Sequence, residues 1–165
     1  QTLSKKLSNL SSELILKAIS YLERTKTKDI SNLLKKQSTF QRKLKYARMI
    51  NKKDYIIGWE NNSIDIYRII NALYPRAFTI YKNKNLKIIK IKILTNNVIK
   101  TKNYKIESNF KPGFIIGIIE NEGIVISTKT EPILILEAKL EGKNVSTQNQ
   151  LIQQLNPVLG NKFSD

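Results

Sequence analysis

Short runs rich in isoleucine, leucine and valine, in which apolar and polar residues alternate, occupy most of the chain between residues 77 and 140. A period of two places alternate side chains on opposite faces of a β-strand, so one face can be buried and the other solvated. We predict five strands, at residues 78–81, 86–94, 114–120, 123–128 and 132–140. In the second strand, Ile89, Ile91 and Ile93 are expected on one face and Lys90 and Lys92 on the other.

A short helix is expected before the strands. Asn62 or Ser63 is a suitable N-cap, and Pro75 ends the helix because proline cannot continue the hydrogen-bond ladder. Its apolar face has the helical spacing i, i+3, i+4 and i+7, at Ile66, Ile69, Ile70 and Leu73.

Turn residues complete the pattern. Asn121 and Glu122, just before Gly123, predict a tight hairpin, and Ser146 or Thr147 caps a final helix that runs through Leu155. Five short strands with one or two small helices indicate a mainly β domain with flanking helices, arranged as a small closed or partly open β-barrel.

Residues 2–23 predict an amphipathic helix of a different kind. Leucines and an alanine recur every three or four residues, at Leu3, Leu7, Leu10, Leu14, Ala18 and Leu22. A lone helix of this length is marginal in water, so this one needs a partner surface. Residues 24–58 lack a sustained period and are interpreted as an irregular basic linker.

Charge is distributed unevenly along the chain. Its 165 residues include 29 Lys and Arg against 13 Asp and Glu, a net charge of +16. Residues 24–54 and 76–105 each carry +9, and the rest of the chain carries −2. The Ile, Lys and Asn bias of AT-rich genomes would spread lysine evenly, so we interpret the two blocks as a surface that faces a polyanion. The alternative is a merely solvated face, in which outward lysines prevent strand-edge aggregation.

Histidine and cysteine are absent from the sequence. Disulfides, Ser-His-Asp triads, imidazole bases and metal sites built on thiolate or imidazole are therefore excluded, and we find no candidate catalytic or metal site. Glu120 and Glu122 flank a turn and are expected to be solvated. No apolar run is long enough to span a membrane. Because the chain begins with Gln1 and not Met, we expect it to be part of a longer protein.

Several ordered motifs resemble one family, the methionyl-tRNA formyltransferases. Residues 46–59 (YARMINKKDYIIGW) look like that family's linker, and residues 71–79 (NALYPRAFT) look like its Asn-Pro-Trp-Pro-Gly-Ala-Phe-Thr signature. Residues 112–113, 123–126 and 133–140 fit its barrel strands, and residues 159–163 fit its closing Gly-x-x-Phe pattern. Pro75 is kept, whereas Tyr74 replaces the signature's Trp, Arg76 replaces its Gly, and Arg48-Met49 replace the linker's Pro-Lys.

The resemblance implies an OB-fold-like, tRNA-binding C-terminal domain at residues 59–165, preceded by the linker at 24–58 and by the last helix of a catalytic domain at 1–23. It implies formyl transfer from 10-formyltetrahydrofolate to initiator methionyl-tRNA. The family's catalytic residues and folate pocket belong to the preceding domain, so this chain alone is expected to be inactive and to bind no cofactor. The expected partners are the tRNA and the catalytic domain, with the chain a monomer. Composition favours a plastid stroma or the cytoplasm of an AT-rich bacterium.

Basic residues of the two blocks are the candidates for tRNA contact: Lys35, Lys36, Arg42, Lys43, Lys45, Arg48, Arg76, Lys82, Lys84, Lys87, Lys90 and Lys92. Tyr46, Trp59 and Tyr74 are assigned to linker or core packing and not to base stacking. Two alternatives remain at this point. One is a stand-alone RNA-binding module without formyl transfer. The other is a related protein that shares the barrel, either a formyltransferase that acts on a nucleotide sugar or a folate dehydrogenase.

Overall fold

The computed structural model describes residues 2–25, 46–107 and 110–164. The chain divides into two units, residues 1–47 and 48–165. The described helices and strands are α1 (Thr2–Arg24), α2 (Ser63–Ala72), β1 (Phe78–Tyr81), β2 (Lys84–Ile93), α3 (Asn96–Thr101), β3 (Ile115–Ile119), β4 (Gly123–Ile126), β5 (Ile133–Leu140), β6 (Val145–Thr147) and α4 (Gln148–Leu155).

Helix α1 confirms the helix predicted at residues 2–23. Glu13 and Lys17 form an ion pair of 2.6 Å one turn apart on its surface. The leucines at positions 3, 7, 10 and 14 are 51–68% exposed. The apolar stripe that the sequence predicts is therefore present and uncovered.

Six antiparallel strands form one sheet in the second unit. Five follow the order β1-β2-β5-β4-β3, and β6 pairs with β5. Strand β5 is the central strand, because it pairs with three others: β2 lies along one of its edges, and the other edge pairs with β4 at residues 133–135 and with β6 at Glu137–Lys139. The sequence predicts the first five strands, and β6 is an addition. Strand β6 is three residues long, too short to show an alternating pattern.

The C-terminal segment adds hydrogen bonds to both outer strands of this order. Ser164 exchanges two backbone hydrogen bonds with Ile80 of β1, at 2.9 and 3.0 Å. Ile115 of β3 donates to the carbonyl of Asn161 at 2.8 Å and accepts from the amide of Gly160 at 2.9 Å. The backbone groups that β1 and β3 would otherwise leave unpaired are thus partly satisfied by residues 160–164.

Two apolar clusters cover the two faces of the sheet. The larger joins one face to α2 and α4, and it includes Trp59 and Phe163, whose rings stack at 5.8 Å. The smaller lies on the other face, where Leu94, Ile116, Val125 and Leu134 pack against α3 and residues 104–106. Helix α3 was not predicted. Six residues give too short a window for a helical period, and its Val98 and Ile99 are shielded only by tertiary packing.

A β-bulge in β2 makes the predicted face of Ile89 wrong. The register with β5 shifts on both sides of Lys90, and the extra residue turns Ile89 out of the core. Ile88 is fully buried in its place, whereas Ile91 stays on the buried face as predicted. Lys90 and Lys92 lie on the face opposite Ile91, as predicted, but Lys90 is exposed whereas Lys92 is half-buried.

Helices α2 and α4 lie where the sequence predicts them, and the turn 120–122 joins β3 to β4 as expected. Ile66 and Ile70 are buried, as the apolar spacing indicates. Asn62 and Thr147 occupy the N-cap positions, but neither side chain makes a capping hydrogen bond. The Ser63 hydroxyl bonds instead to the Glu131 carboxylate at 2.6 Å, which ties the start of α2 to the β4–β5 loop.

Candidate nucleic-acid interface

Five of the predicted tRNA-binding residues lie outside the described residues: Lys35, Lys36, Arg42, Lys43 and Lys45. The structure places the other seven on the second unit, which carries 18 Lys and Arg against 10 Asp and Glu, a net charge of +8. Their surroundings differ, and the acceptors around each one decide how much of its charge is available to a ligand.

Arg48 forms a two-pronged ion pair with Asp54, with Nη1 at 2.7 Å from Oδ2 and Nη2 on Oδ1. The same carboxylate accepts from the backbone amide of Asn51, and the Asn51 side chain accepts from the amide of Lys53. These reciprocal bonds form a capping box at the start of a single 3₁₀ turn. The Arg48 hydrogen bonds and the Asn51 amide lower the pKa of Asp54 to about 2. Arg48 therefore holds this turn, and its charge is largely balanced.

Arg76 and Lys82 also have partners within the chain. Arg76 donates to the hydroxyl of Tyr55 at 3.0 Å, and its guanidinium lies 5.8 Å from the ring centre. Lys82 donates to the carbonyls of Leu155 and Asn156, at 3.3 and 2.8 Å. An ammonium at these carbonyls stabilises the C-terminal end of α4 through the helix dipole. Arg76 is exposed and its partner is neutral, so its full charge faces solvent.

Four predicted lysines lie on β2. Lys90 pairs with Glu137 of β5 at 3.5 Å, and Lys92 is half-buried opposite Leu134. Lys84 and Lys87 are exposed and make no ion pair with a described residue. Lys87 lies opposite Lys139 of β5, a residue that the sequence reasoning did not select. The only signal for Lys139 is its outward position in β5, because the register that brings it to Lys87 is a tertiary property.

The Glu122 side chain is only 28% exposed and is paired within the chain, which corrects the prediction of a free, solvated carboxylate. Its carboxylate accepts from Lys102 at 2.7 Å and from the hydroxyl of Tyr104 at 2.6 Å. The Lys102 and Tyr104 hydrogen bonds lower the pKa of Glu122, and the Glu122 carboxylate raises the pKa of Lys102. This cluster ties the residues after α3 to the β3–β4 turn, so Lys102 is a structural lysine of the second basic block.

The three aromatic residues that the sequence assigns to packing differ in their exposure to solvent. Trp59 is 2% exposed and its Nε1 donates to the Thr79 hydroxyl at 3.0 Å, which confirms its predicted packing role. Tyr46 and Tyr74 are 92% and 63% exposed, so neither is a core residue. Neither position shows a periodic apolar pattern that would mark it as buried or exposed. Among the described residues, no group of three acidic side chains is arranged to hold a metal ion.

A comparison with family models identifies most of this second unit. Residues 49–156 match the model of the formyl transferase C-terminal domain. The chain belongs to this family. The family recognised from the motifs of residues 46–59 and 71–79 is thereby confirmed.

Similar full-length proteins extend the match to the whole chain. It is 73% identical over 166 residues to a methionyl-tRNA formyltransferase of Prochlorococcus marinus strain MIT 9515, and 72% identical to one of the subspecies pastoris, strain CCMP1986 / NIES-2087 / MED4. Each alignment covers 100% of this chain and 51% of the relative. The chain thus spans about half the length of the curated relatives that it matches.

A solved structure shares the fold at low sequence identity. HypX from Aquifex aeolicus, crystallised with tetrahydrofolic acid, superimposes with a TM-score of 0.52 at 15% identity, over 89% of this chain and 23% of that chain. This likeness concerns the fold alone. No helix among residues 2–25, 46–107 and 110–164 has the length and apolar character needed to cross a bilayer.

Proposed function

We propose that this chain is the tRNA-binding C-terminal portion of a methionyl-tRNA formyltransferase. The enzyme would transfer a formyl group from 10-formyltetrahydrofolate to initiator methionyl-tRNA. The observation that carries the proposal is the 73% identity to a methionyl-tRNA formyltransferase over the full length of the chain. The uneven basic charge supports it, because backbone phosphates are the chemistry that a lysine-rich sheet face recognises.

The sheet is proposed to be an OB-fold-like barrel at residues 59–165. Hydrogen bonds from residues 160–164 to Ile80 on one outer strand and to Ile115 on the other support closure through the C-terminal segment. Such a barrel has no open strand edge and presents its outer strand faces to a nucleic acid.

Helix α1 is proposed to be the terminal helix of the catalytic domain, followed by the basic linker at residues 24–58. Its apolar stripe is uncovered along the leucines at positions 3 to 14, and the matched relatives are about twice as long as this chain. A catalytic domain in the remaining half would cover this stripe. It would also supply the folate pocket and the catalytic residues, so the present chain would bind no cofactor. The Prochlorococcus relatives support a bacterial cytoplasm over a plastid.

Binding of the chain to initiator tRNA, measured in salt from about 50 to 300 mM, tests the tRNA-binding role. We expect log K to fall with log salt at about −0.7 to −0.9 per neutralised phosphate, with folded initiator tRNA preferred over a size-matched unstructured RNA. Binding without that preference would favour the stand-alone RNA-binding module. No binding at the lowest salt would refute the role.

A formyl-transfer assay tests whether tRNA binding and catalysis belong to different halves of the enzyme. The chain alone is expected to transfer no formyl group. Adding the N-terminal half of the strain MIT 9515 relative as a separate polypeptide should restore transfer, and an α1 variant with Leu7 and Leu10 changed to Gln should abolish the rescue. Transfer by the chain alone would contradict the proposal, because its sequence contains no histidine to act as the base.

A further inference from the structure

The face of the sheet opposite Trp59 and Phe163, here called the outer face, contains a row of side chains with unbalanced charge. The register aligns Phe78 of β1, Lys87 of β2, Lys139 of β5 and Val145 of β6 in a line across the four strands. Both lysines are exposed, and neither makes an ion pair or a side-chain hydrogen bond with another described residue. The next row along the strands is balanced, since Lys90 lies opposite Glu137. We call the four residues the Lys87–Lys139 row.

Two like charges directly opposite each other destabilise an antiparallel pair. Protection of a strand edge does not explain them, because β2 and β5 are interior strands with both edges paired. An unfavourable lysine pair on two interior strands is explained if a bound anion neutralises its charge.

A pocket of about 330 Å³ lies at this pair. It is lined by Asn85, Lys87, Lys139, Leu140, Glu141 and Gly142. The Glu141 carboxylate is the opposing charge in the pocket, and its Oε2 accepts from the backbone amide and the side-chain amide of Asn85, at 3.0 and 3.2 Å. Glu141 is thus held by Asn85, and both ammonium groups are left for an anion.

We infer that Lys87 and Lys139 together hold a backbone phosphate of the bound RNA on the outer face of β2 and β5. This inference rests on the proposed function and adds to it a defined subsite and a residue, Lys139, outside the two basic blocks. Lysine acts here as a point charge on a phosphate, so the subsite reads the position of the backbone and not the base sequence.

The double variant Lys87→Gln with Lys139→Gln tests the subsite in the full chain. Its salt slope for initiator tRNA should be shallower by about 1.5, because two charge contacts are lost. The control is Lys111→Gln with Lys129→Gln, which removes the same charge from two exposed lysines outside both basic blocks and outside the Lys87–Lys139 row. Equal slopes and affinities in the two double variants would overturn the inference and leave tRNA binding by the wild type intact.

Glu141→Gln keeps an acceptor for Asn85 and removes the opposing charge, so it should tighten binding. Unchanged affinity in this variant would also overturn the inference, and this test holds even if the double variant does not fold.

Lys139→Gln should raise the melting temperature of the RNA-free chain, because it removes the repulsion between the two lysines. Loss of a structural contact would lower the melting temperature instead.

The same titrations with a size-matched unstructured RNA separate the two proposals. A slope reduced by the double variant on both RNAs, without preference for the tRNA, would refute initiator-tRNA recognition and support the subsite. Absence of binding to either RNA by the wild type would refute both.

Discussion

Gly123 is the position at which the fold tolerates no side chain. It begins β4 with a φ of +154°, and a Cβ placed there would lie 1.9 Å from the carbonyl oxygen of Ile135 in β5. Real Cβ atoms essentially never approach closer than 3.0 Å, so the overlap is about 1 Å against backbone. The oxygen belongs to the central strand and has no flexible bond that would move it aside.

Gly123→Ala is therefore expected to destabilise the second unit severely. Overpacking against rigid structure costs about 1–3 kcal/mol, and a strained backbone conformation costs about 1–3 kcal/mol more. A combined loss of about 2–6 kcal/mol is a large part of the roughly 5–15 kcal/mol that stabilises a typical domain. For a unit of this size, that loss lowers the melting temperature by about 8–25 °C.

Thermal unfolding followed by circular dichroism of the full chain measures this effect. The matched control is Gly142→Ala, because Gly142 also has a positive φ (+74°) but nothing lies within 4 Å of the added Cβ. The control is expected to lose only about 1 kcal/mol, from backbone strain. Equal melting temperatures for the two variants would refute the claim that β5 crowds Gly123.

Three further predictions concern individual contacts. Ser63→Ala removes the hydroxyl that bonds to Glu131 at 2.6 Å and to Thr130 at 3.0 Å, and it should cost about 1–2 kcal/mol in urea unfolding, with Thr130→Val as the comparison. Asp54 has a folded pKa lowered from 3.8 to about 2, so its stabilisation is complete above pH 4 and is lost as the pH falls towards 2. Asp54→Asn should flatten that part of the stability profile, and an unchanged profile would contradict the pairing with Arg48. Trp59 is the only tryptophan and is buried, so its fluorescence should resist acrylamide quenching until the second unit unfolds; ready quenching in the native chain would contradict the stacking on Phe163.

Local patterns explain why much of the fold was predictable. Strand alternation, the helical spacing of Ile66 and Ile70, and the turn before Gly123 all arise from neighbours in sequence. The family followed from ordered motifs at residues 46–59 and 71–79. Helix α3, with six residues, and strand β6, with three, are too short to show a recognisable apolar period, so the sequence does not predict them. Ile89 was misplaced because the bulge depends on pairing with β5.

Sequence alone determined that this chain is basic in two blocks, has no histidine or cysteine chemistry, and builds a mainly β domain of the formyltransferase C-terminal family. Only the tertiary structure determined which charged side chains are paired within the chain and which remain available to a ligand. Asp54 balances Arg48, the end of α4 engages Lys82, and Glu122 engages Lys102, whereas Lys87 faces a second lysine. The physical reason is that charge is a property of a residue, but its availability depends on acceptors that strand register and turns bring from distant parts of the chain.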